Sequence, residues 1–471
     1  MLGIGGVRVL RALGLSPVVW HANEGHNSFM MLERIRESVA AGLTFDEAVN
    51  RVKATSVFTT HTPVGAGHDV FPDDLVQRYL DSFRQRLGIE WPQFFELGRE
   101  PGTEGGLNMT VLALRLADKR NAVSELHEKV ANKMWQRLWP AQGEGQPPIT
   151  HVTNGVHVPT WIGSPLRDII AEYCGHDWYN PEDSGGLRDR LLELPDTELW
   201  SIHQRLKNNL LNAVRDRMRA RWIDDRVPLQ QVLAMGATLD AATLTIGFGR
   251  RFVEYKRPTL IFRDRERLRR IVNHPTHPVQ IIFAGKSHAA DFQSKCFLQQ
   301  MYTLATQAEF QGRVVFVEEY DIRLAHALVR GVDVWLNNPR RLHEACGTSG
   351  MKASLNGVPQ LSVLDGWWYE GYNGTNGWAI GPRDPPGNGD EEDRLDAESI
   401  YDLLEKEVVP LYYKRDRDGI PHAWVRRMKE TIASVIPDFC AQRMLRQYID
   451  LLYAPLIYTP QPGKPPGANV T

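Results

Sequence analysis

The chain has 471 residues, with 55 Lys and Arg against 57 Asp and Glu and a formal charge of -2, so its overall charge gives no reason to expect nucleic acid as a partner. At 42% hydrophobic and 24% charged residues it has an ordinary globular composition, long enough for about three domains or two larger α/β domains. No apolar run reaches the roughly 20 residues of a membrane helix, and Arg8 and Arg11 interrupt the first apolar stretch, which excludes a secretory core and points to a cytoplasmic protein.

In chain order, GVRVLRALGL reads as a helix with no strand ahead of it. Strand-like runs follow at SPVVWHAN (16–23), TSVFTTH (55–61) and ITHVTN (149–154), with helical patterns in MMLERIRESVAAG, FDEAVNRVKA and VSELHEKVANKMWQRL between them. Three strands are few for a free-standing doubly wound sheet, so the first sheet is expected to lack its beginning. Residues 195–225 read as one long amphipathic helix joining two halves. From 243 onward, apolar runs alternate with helical patterns: TLTIGFG (243–249), PVQIIFAG (278–285), RVVFVEEY (313–320), VDVWLN (332–337) and PQLSVLDG (359–366). Nearly continuous apolar strands separated by crossover helices predict a parallel sheet covered on both faces, with chemistry in the loops after the strands. GREPGTEGG (98–106), QGEGQPP (142–148) and GPRDPPGNGDEED (381–393) read as loops, and YTPQPGKPPGANVT as a disordered tail. Cys174, Cys296, Cys346 and Cys440 have no CxxC spacing, so neither a disulfide framework nor a zinc knuckle is indicated.

Two segments carry chemistry. HEACGTSGMKASLNG (343–357) follows one apolar run and precedes another; a Gly-Thr-Ser-Gly stretch opening a helix offers free N–H groups and hydroxyls to an anion, with Lys352 beyond it. A phosphate beside an amine is what pyridoxal phosphate requires, although a tight turn with a solvated lysine fits the same letters. GFGRRFVEYKRP (247–258) places Arg250, Arg251, Lys256 and Arg257 within eight residues after a strand, a group suited to one or two phosphates, or else a solvated basic face. Nucleotide-sugar transferases of the two-Rossmann type carry a second glutamate eight positions after the first, to bind ribose. Here Glu344 is followed at that distance by Lys352, an ammonium that cannot accept a ribose hydroxyl. HANEGH brings His21, Glu24 and His26 together without the i, i+4 histidines of a helical zinc site, so a hydrogen-bond network is expected and no metal.

NEGH (23–26), FTTHTP (58–63), VTNGVHVPTW (152–161), GRRFVEYKRP (249–258) and EACGTSGMKASLNG (344–357), in this order along the chain, together resemble the α-glucan (glycogen, starch, maltodextrin) phosphorylases, in particular their short bacterial and archaeal branch. The resemblance implies a two-Rossmann glycosyltransferase (GT-B) fold: residues 1–155 as the later portion of an incomplete N-terminal Rossmann-like domain, 156–430 as a complete doubly wound catalytic domain, and 431–471 as a C-terminal helix and tail. It implies reversible, retaining phosphorolysis of terminal α-1,4-glucosidic bonds, with α-1,4-glucan, orthophosphate and glucose 1-phosphate as partners, pyridoxal 5′-phosphate as cofactor, and homo-oligomers as a common state. On that resemblance Lys352 is the lysine that bonds the cofactor; Thr348, Ser349 and Arg250 touch its phosphate; and Arg251 and Lys256 hold the substrate phosphate next to it. Glu344 and Asn154 bind glucose hydroxyls, His61 lines the glucose pocket, and Glu24 and His26 match a supporting segment. The family's glycine-rich phosphate loop has no counterpart, since GIGGVRVL (3–10) has no strand before it. The competing readings are a nucleotide-sugar glucosyltransferase such as a glycogen or starch synthase, which Lys352 opposes, and a truncated chain that binds without catalysis. Cys346 stands where the family has serine, and Trp367, Trp368 and Trp378 either line the acceptor side or pack against the strand before them.

Overall fold

The computed structural model describes residues 1–140, 147–180, 186–225, 239–310, 312–383 and 389–458. The expected loops at 142–148 and 381–393 fall partly, and the expected tail beyond Tyr458 wholly, outside the described residues. Two compact units are formed, Met1–Thr153 with the segment starting at Met444, and Asn154–Arg443.

The first unit contains β1 (Trp20–Asn23), β2 (Ser56–Thr59), β3 (Val70–Phe71), β4 (Leu107–Asn108), β5 (Lys119–Ala122) and β6 (Thr150–His151). Its main sheet runs β1-β2-β5-β6, all parallel, and β3 and β4 form a short antiparallel pair. β5 escapes a hydropathy reading because its sequence is KRNA. Its polar groups are satisfied internally: Arg120 Nε donates to Leu114 O (2.9 Å), and buried Asn121 accepts from Thr59 Oγ1 (2.6 Å) and donates to Tyr448 OH (3.1 Å). That last bond explains why the end of the chain belongs here. Tyr448, Leu452 and Leu456 cover Val57 and Val152, so the segment set apart at 431–471 divides near Met444. The opening helix Leu2–Ala12 includes the GIGG letters, and a Cβ on Gly3 would sit 2.6 Å from Met30 N of the helix Phe29–Ala40. Glycine is needed there for helix packing.

The second unit contains β7 (Leu244–Gly249), β8 (Val279–Ala284), β9 (Val314–Val317), β10 (Val334–Asn337), β11 (Gln360–Val363) and β12 (Gly377–Ile380). The order is β12-β11-β10-β7-β8-β9 with every pair parallel. Five of these strands are the apolar runs of the sequence, and nearly all their residues are buried, as expected for strands covered on both faces. β12, with only GWAI and a leading glycine, lacks that signature. The chain runs outward from β7 to β9 on one side and from β10 to β12 on the other. The strand order therefore reverses between β7 and β10, and their carboxyl ends border the crevice where open α/β sheets take ligands.

The helix Asp196–Asp225 lies within this unit, and so is not a connector between halves. It is fastened to the sheet by a buried network: Lys207 Nζ donates to Asp333 Oδ2 (2.5 Å), Thr243 O (2.6 Å) and Tyr412 OH (3.0 Å), while His203 Nε2 meets Asp333 Oδ1 at 2.7 Å. No helix among the described residues is long and apolar enough to cross a membrane.

Candidate functional site

The loops after β7 and β10 bring the two sequence motifs together. After β7 the chain turns through Arg250 and Arg251 into the single 3-10 turn Glu254–Lys256; after β10 it runs through Asn338–Gly347 into the helix Thr348–Ser354. Glu344 is 8% exposed, with its carboxylate 3.3 Å from Arg250 Nη1 and 3.6 Å from Lys256 Nζ. Arg250 Nη2 donates to Ser349 Oγ at 3.5 Å. Burial pushes the Glu344 carboxyl up, but Lys256, Arg250 and Arg251 outweigh it and hold it below the usual range. Burial, helped by Arg250 and Arg251 and opposed by Glu344, brings Lys256 down to about 8.

Three cations around one carboxylate leave a surplus of positive charge. Part of it is unspent: Arg250 Nε and Nη1 and Glu344 Oε2 are buried and make no hydrogen bond among the described residues. Arg250 and Glu344 are close enough to attract but not aligned to bond. A buried guanidinium with idle N–H groups is a binding feature for a small oxyanion, and an idle carboxylate oxygen is an acceptor for a hydroxyl.

Lys352 is half-buried in the helix Thr348–Ser354, with its Nζ 3.8 Å from the centroid of the Trp161 ring. Burial lowers its pKa, which favours the neutral, nucleophilic amine. Trp161 ends the VTNGVHVPTW motif, yet the letters alone assign it no role. Asn154 begins the same unit: its carbonyl accepts from Arg443 Nη2 at 3.3 Å and its backbone N–H lies against the Cys346 thiol. Thr348 and Ser349 form the first turn of the helix, which has no side-chain cap on Gly347.

The fourth cation of the basic run does not join this group. Arg257 adopts φ 45°, is buried, and donates to Asn338 O (3.0 Å), Pro339 O (2.8 Å), Asp393 (2.8 Å) and Asp396 (2.6 Å). The left-handed residue turns its side chain away from that of Lys256, so two neighbouring cations serve opposite purposes. Arg341 adds bonds to Asp396 at 3.0 and 2.9 Å and to Ile380 O at 2.8 Å, which ties the loop bearing Glu344 to the helix Gly389–Leu403. Trp367, Trp368 and Trp378 are at most 3% exposed, so they pack in the core and do not form a sugar platform. Cys346 is buried and its thiol pushed up by burial, a packing residue without thiolate reactivity.

His61 lies in the first unit, at the end of β2. Its backbone N–H donates to Glu24 Oε1, which also accepts from Thr62 Oγ1 (2.9 Å), and its Nε2 meets Asn23 Oδ1 at 3.1 Å. Burial lowers its pKa. Glu24, at φ 64°, thus holds the turn that carries His61, and exposed His26 takes no part in those bonds. Among the described residues no group of His, Cys, Asp and Glu is arranged to hold a metal ion.

A family model described as carbohydrate phosphorylase matches residues 97–370. The glycogen phosphorylase of Aquifex aeolicus is 46% identical over 458 residues, covering 97% of this chain and 65% of that protein. The maltodextrin phosphorylase of Thermococcus litoralis is 44% identical over 454 residues, covering 96% of this chain and 53% of that one. A glycogen phosphorylase of Mycobacterium tuberculosis is 41% identical, with 97% and 54% covered. The chain thus spans between 53% and 65% of the length of these relatives.

Proposed function

The chain belongs to the carbohydrate phosphorylase family, and from that premise we propose that it acts in the reversible phosphorolysis of terminal α-1,4-glucosidic bonds of glycogen or maltodextrin, releasing glucose 1-phosphate. The observation that carries this reading is the buried Glu344 between Arg250 and Lys256 at the β7/β10 crevice, with idle donors on Arg250 and an idle acceptor on Glu344. An anion and a sugar hydroxyl are what such a pair of groups would bind side by side. The proposed architecture is the two-Rossmann GT-B fold, with the second unit as its catalytic domain. The four cysteines carry no disulfide, in keeping with a cytoplasmic setting.

Pyridoxal phosphate fits the residues present. Lys352 offers a partly desolvated amine, and Arg250 and Ser349, 3.5 Å apart, offer donors to a phosphate. Thr348 and the uncapped start of its helix add further donors. When bound, the cofactor would supply a phosphate able to exchange a proton with orthophosphate.

The chain's own groups do the rest. Arg251 and Lys256 hold orthophosphate, with Lys256 charged below a pH of about 8. Two phosphate groups in contact repel each other, and these cations with Arg250 offset that repulsion in a site where Coulomb forces are little screened. Glu344 accepts a glucose hydroxyl on Oε2, and the Asn154 amide binds the sugar further. Burial lowers the pKa of the Lys352 amine and of the His61 ring, which disfavours competing positive charge on both.

Borohydride treatment of the purified chain after incubation with pyridoxal phosphate tests this. The expected product is a phosphopyridoxyl group on Lys352, found by peptide mass mapping, with glucose 1-phosphate release largely retained, because reduction of the imine leaves the cofactor's phosphate in place. A colourless chain that instead binds a nucleotide sugar would refute the proposal.

A further inference from the structure

Asp365 lies two residues beyond β11, is 1% exposed, and among the described residues pairs with no Lys, Arg or His. Among those residues its carboxylate accepts backbone N–H groups alone. Oδ2 accepts the N–H of Glu344 at 3.0 Å, Oδ1 accepts the N–H of Gly366 at 2.9 Å, and the N–H of Leu342 also points to it. Leu342 has φ 67° and is 50% exposed, an arrangement a branched side chain rarely adopts unless its surroundings impose it. Gly366 has φ 53°, and a Cβ there would lie 2.4 Å from Cys346 O, so only glycine closes the turn against the Glu344–Cys346 segment.

We propose that Asp365 is a positioning residue: by gathering the N–H groups of Leu342, Glu344 and Gly366 on one buried carboxylate, it sets the backbone from which Glu344 reaches between Arg250 and Lys256. The inference deepens the function proposed above and rests on it for its catalytic consequence. A buried anion without a cation is costly. A leucine or asparagine would spare the fold that cost, so a gain elsewhere is needed to account for the aspartate. The gain is geometric, because three donors converge on acceptors only when the carboxyl is ionised; its protonated form turns one acceptor into a donor facing N–H groups. Burial, backed by the Glu344 charge and opposed by the three N–H bonds, raises Asp365 to about 7. Glu344 is the charged group that acts directly on it, with Arg250, Lys256 and the Tyr255 phenol lying beyond Glu344.

The test uses the full chain with pyridoxal phosphate and the isosteric variant Asp365→Asn. In wild type labelled with 15N-glycine, the Gly366 amide resonance should titrate with a midpoint of about 7, and in Asp365→Asn that titration should vanish. The kcat for maltodextrin phosphorolysis at pH 8 should fall at least tenfold in Asp365→Asn while the KM for orthophosphate stays within about twofold, and the wild-type acid limb near pH 7 should disappear. A purely structural role would lower melting temperature and leave the shape of the pH profile unchanged. A Gly366 resonance that does not move between pH 5.5 and 8.5, or an Asp365→Asn chain with wild-type kcat and pH profile, overturns the inference. A wild-type chain that releases no glucose 1-phosphate counts against the proposed function, and the Gly366 titration still decides the positioning role.

Discussion

Replacing Glu344 by Gln removes the one charge that raises Lys256 while leaving burial, Arg250 and Arg251 to lower it. The two groups are 3.6 Å apart and both buried. An opposite charge at such range holds a pKa by roughly one to three pH units, so a midpoint now at about 8 should fall by roughly two. At pH 7 the wild-type amine is about nine-tenths protonated, and in Glu344→Gln about one-tenth would be. If charged Lys256 is what holds orthophosphate, the KM for phosphate in the variant should exceed that of wild type about tenfold at pH 7, and the two should approach each other near pH 5. The ionisation of phosphate itself is common to both proteins and cancels in the ratio. Loss of the bond from Glu344 to the sugar lowers kcat at every pH and so does not distort it. Initial rates of maltodextrin phosphorolysis at varied phosphate, from pH 5 to pH 8, give the ratio directly. A ratio of KM values that does not change with pH would refute the assignment of Lys256 to phosphate and the coupling to Glu344.

Three further outcomes are expected. Lys207→Met takes the ammonium from buried Asp333, leaving it His203 and the Thr245 N–H, and should cost about 3–5 kcal/mol in urea unfolding, whereas Lys207→Met with Asp333→Leu should recover most of that; equal losses in both would show that the buried pair is not what fastens the helix Asp196–Asp225. His21 and His127, each lowered to about 4 by burial, stay neutral in the folded first unit. Unfolded chains take up the proton first, so each histidine should cost roughly 3 kcal/mol of stability as pH falls from 6.5 to 4, and melting curves of His21→Gln should be flatter over that window than those of wild type. Pyridoxal phosphate at a hundred times its dissociation constant should stabilise the wild-type chain by about 2.7 kcal/mol, and Lys352→Ala should lose most of that gain, read as the shift in melting temperature.

The sheet of the second unit was legible because β7 to β11 are buried on both faces, which writes them as unbroken apolar runs. β5 was not, because its letters are polar and buried Asn121 meets its polar needs through Thr59 and Tyr448, both distant in sequence. That the two motifs meet was also legible, since Arg250, Lys256 and Glu344 all lie in loops that follow predicted strands. Direction was not: Lys256 and Arg257 are neighbours in the letters, and only the left-handed backbone at Arg257 sends one to Glu344 and the other to Asp396. The same holds for Asp365, whose partners are three backbone N–H groups that no motif records, and for Trp161, which meets Lys352 across 191 positions. The tryptophans of DGWWYEGYNGTNGW show the same limit, since the letters left open both the acceptor side and packing against the strand before them, and close packing claimed the rings.

The most direct measurement is the amount of glucose 1-phosphate released from maltodextrin by the purified chain with pyridoxal phosphate, with and without orthophosphate. Release that needs both phosphate and Lys352, and that a nucleotide sugar does not replace, is the predicted result. A chain that carries the cofactor on Lys352 yet releases no glucose 1-phosphate would contradict the account.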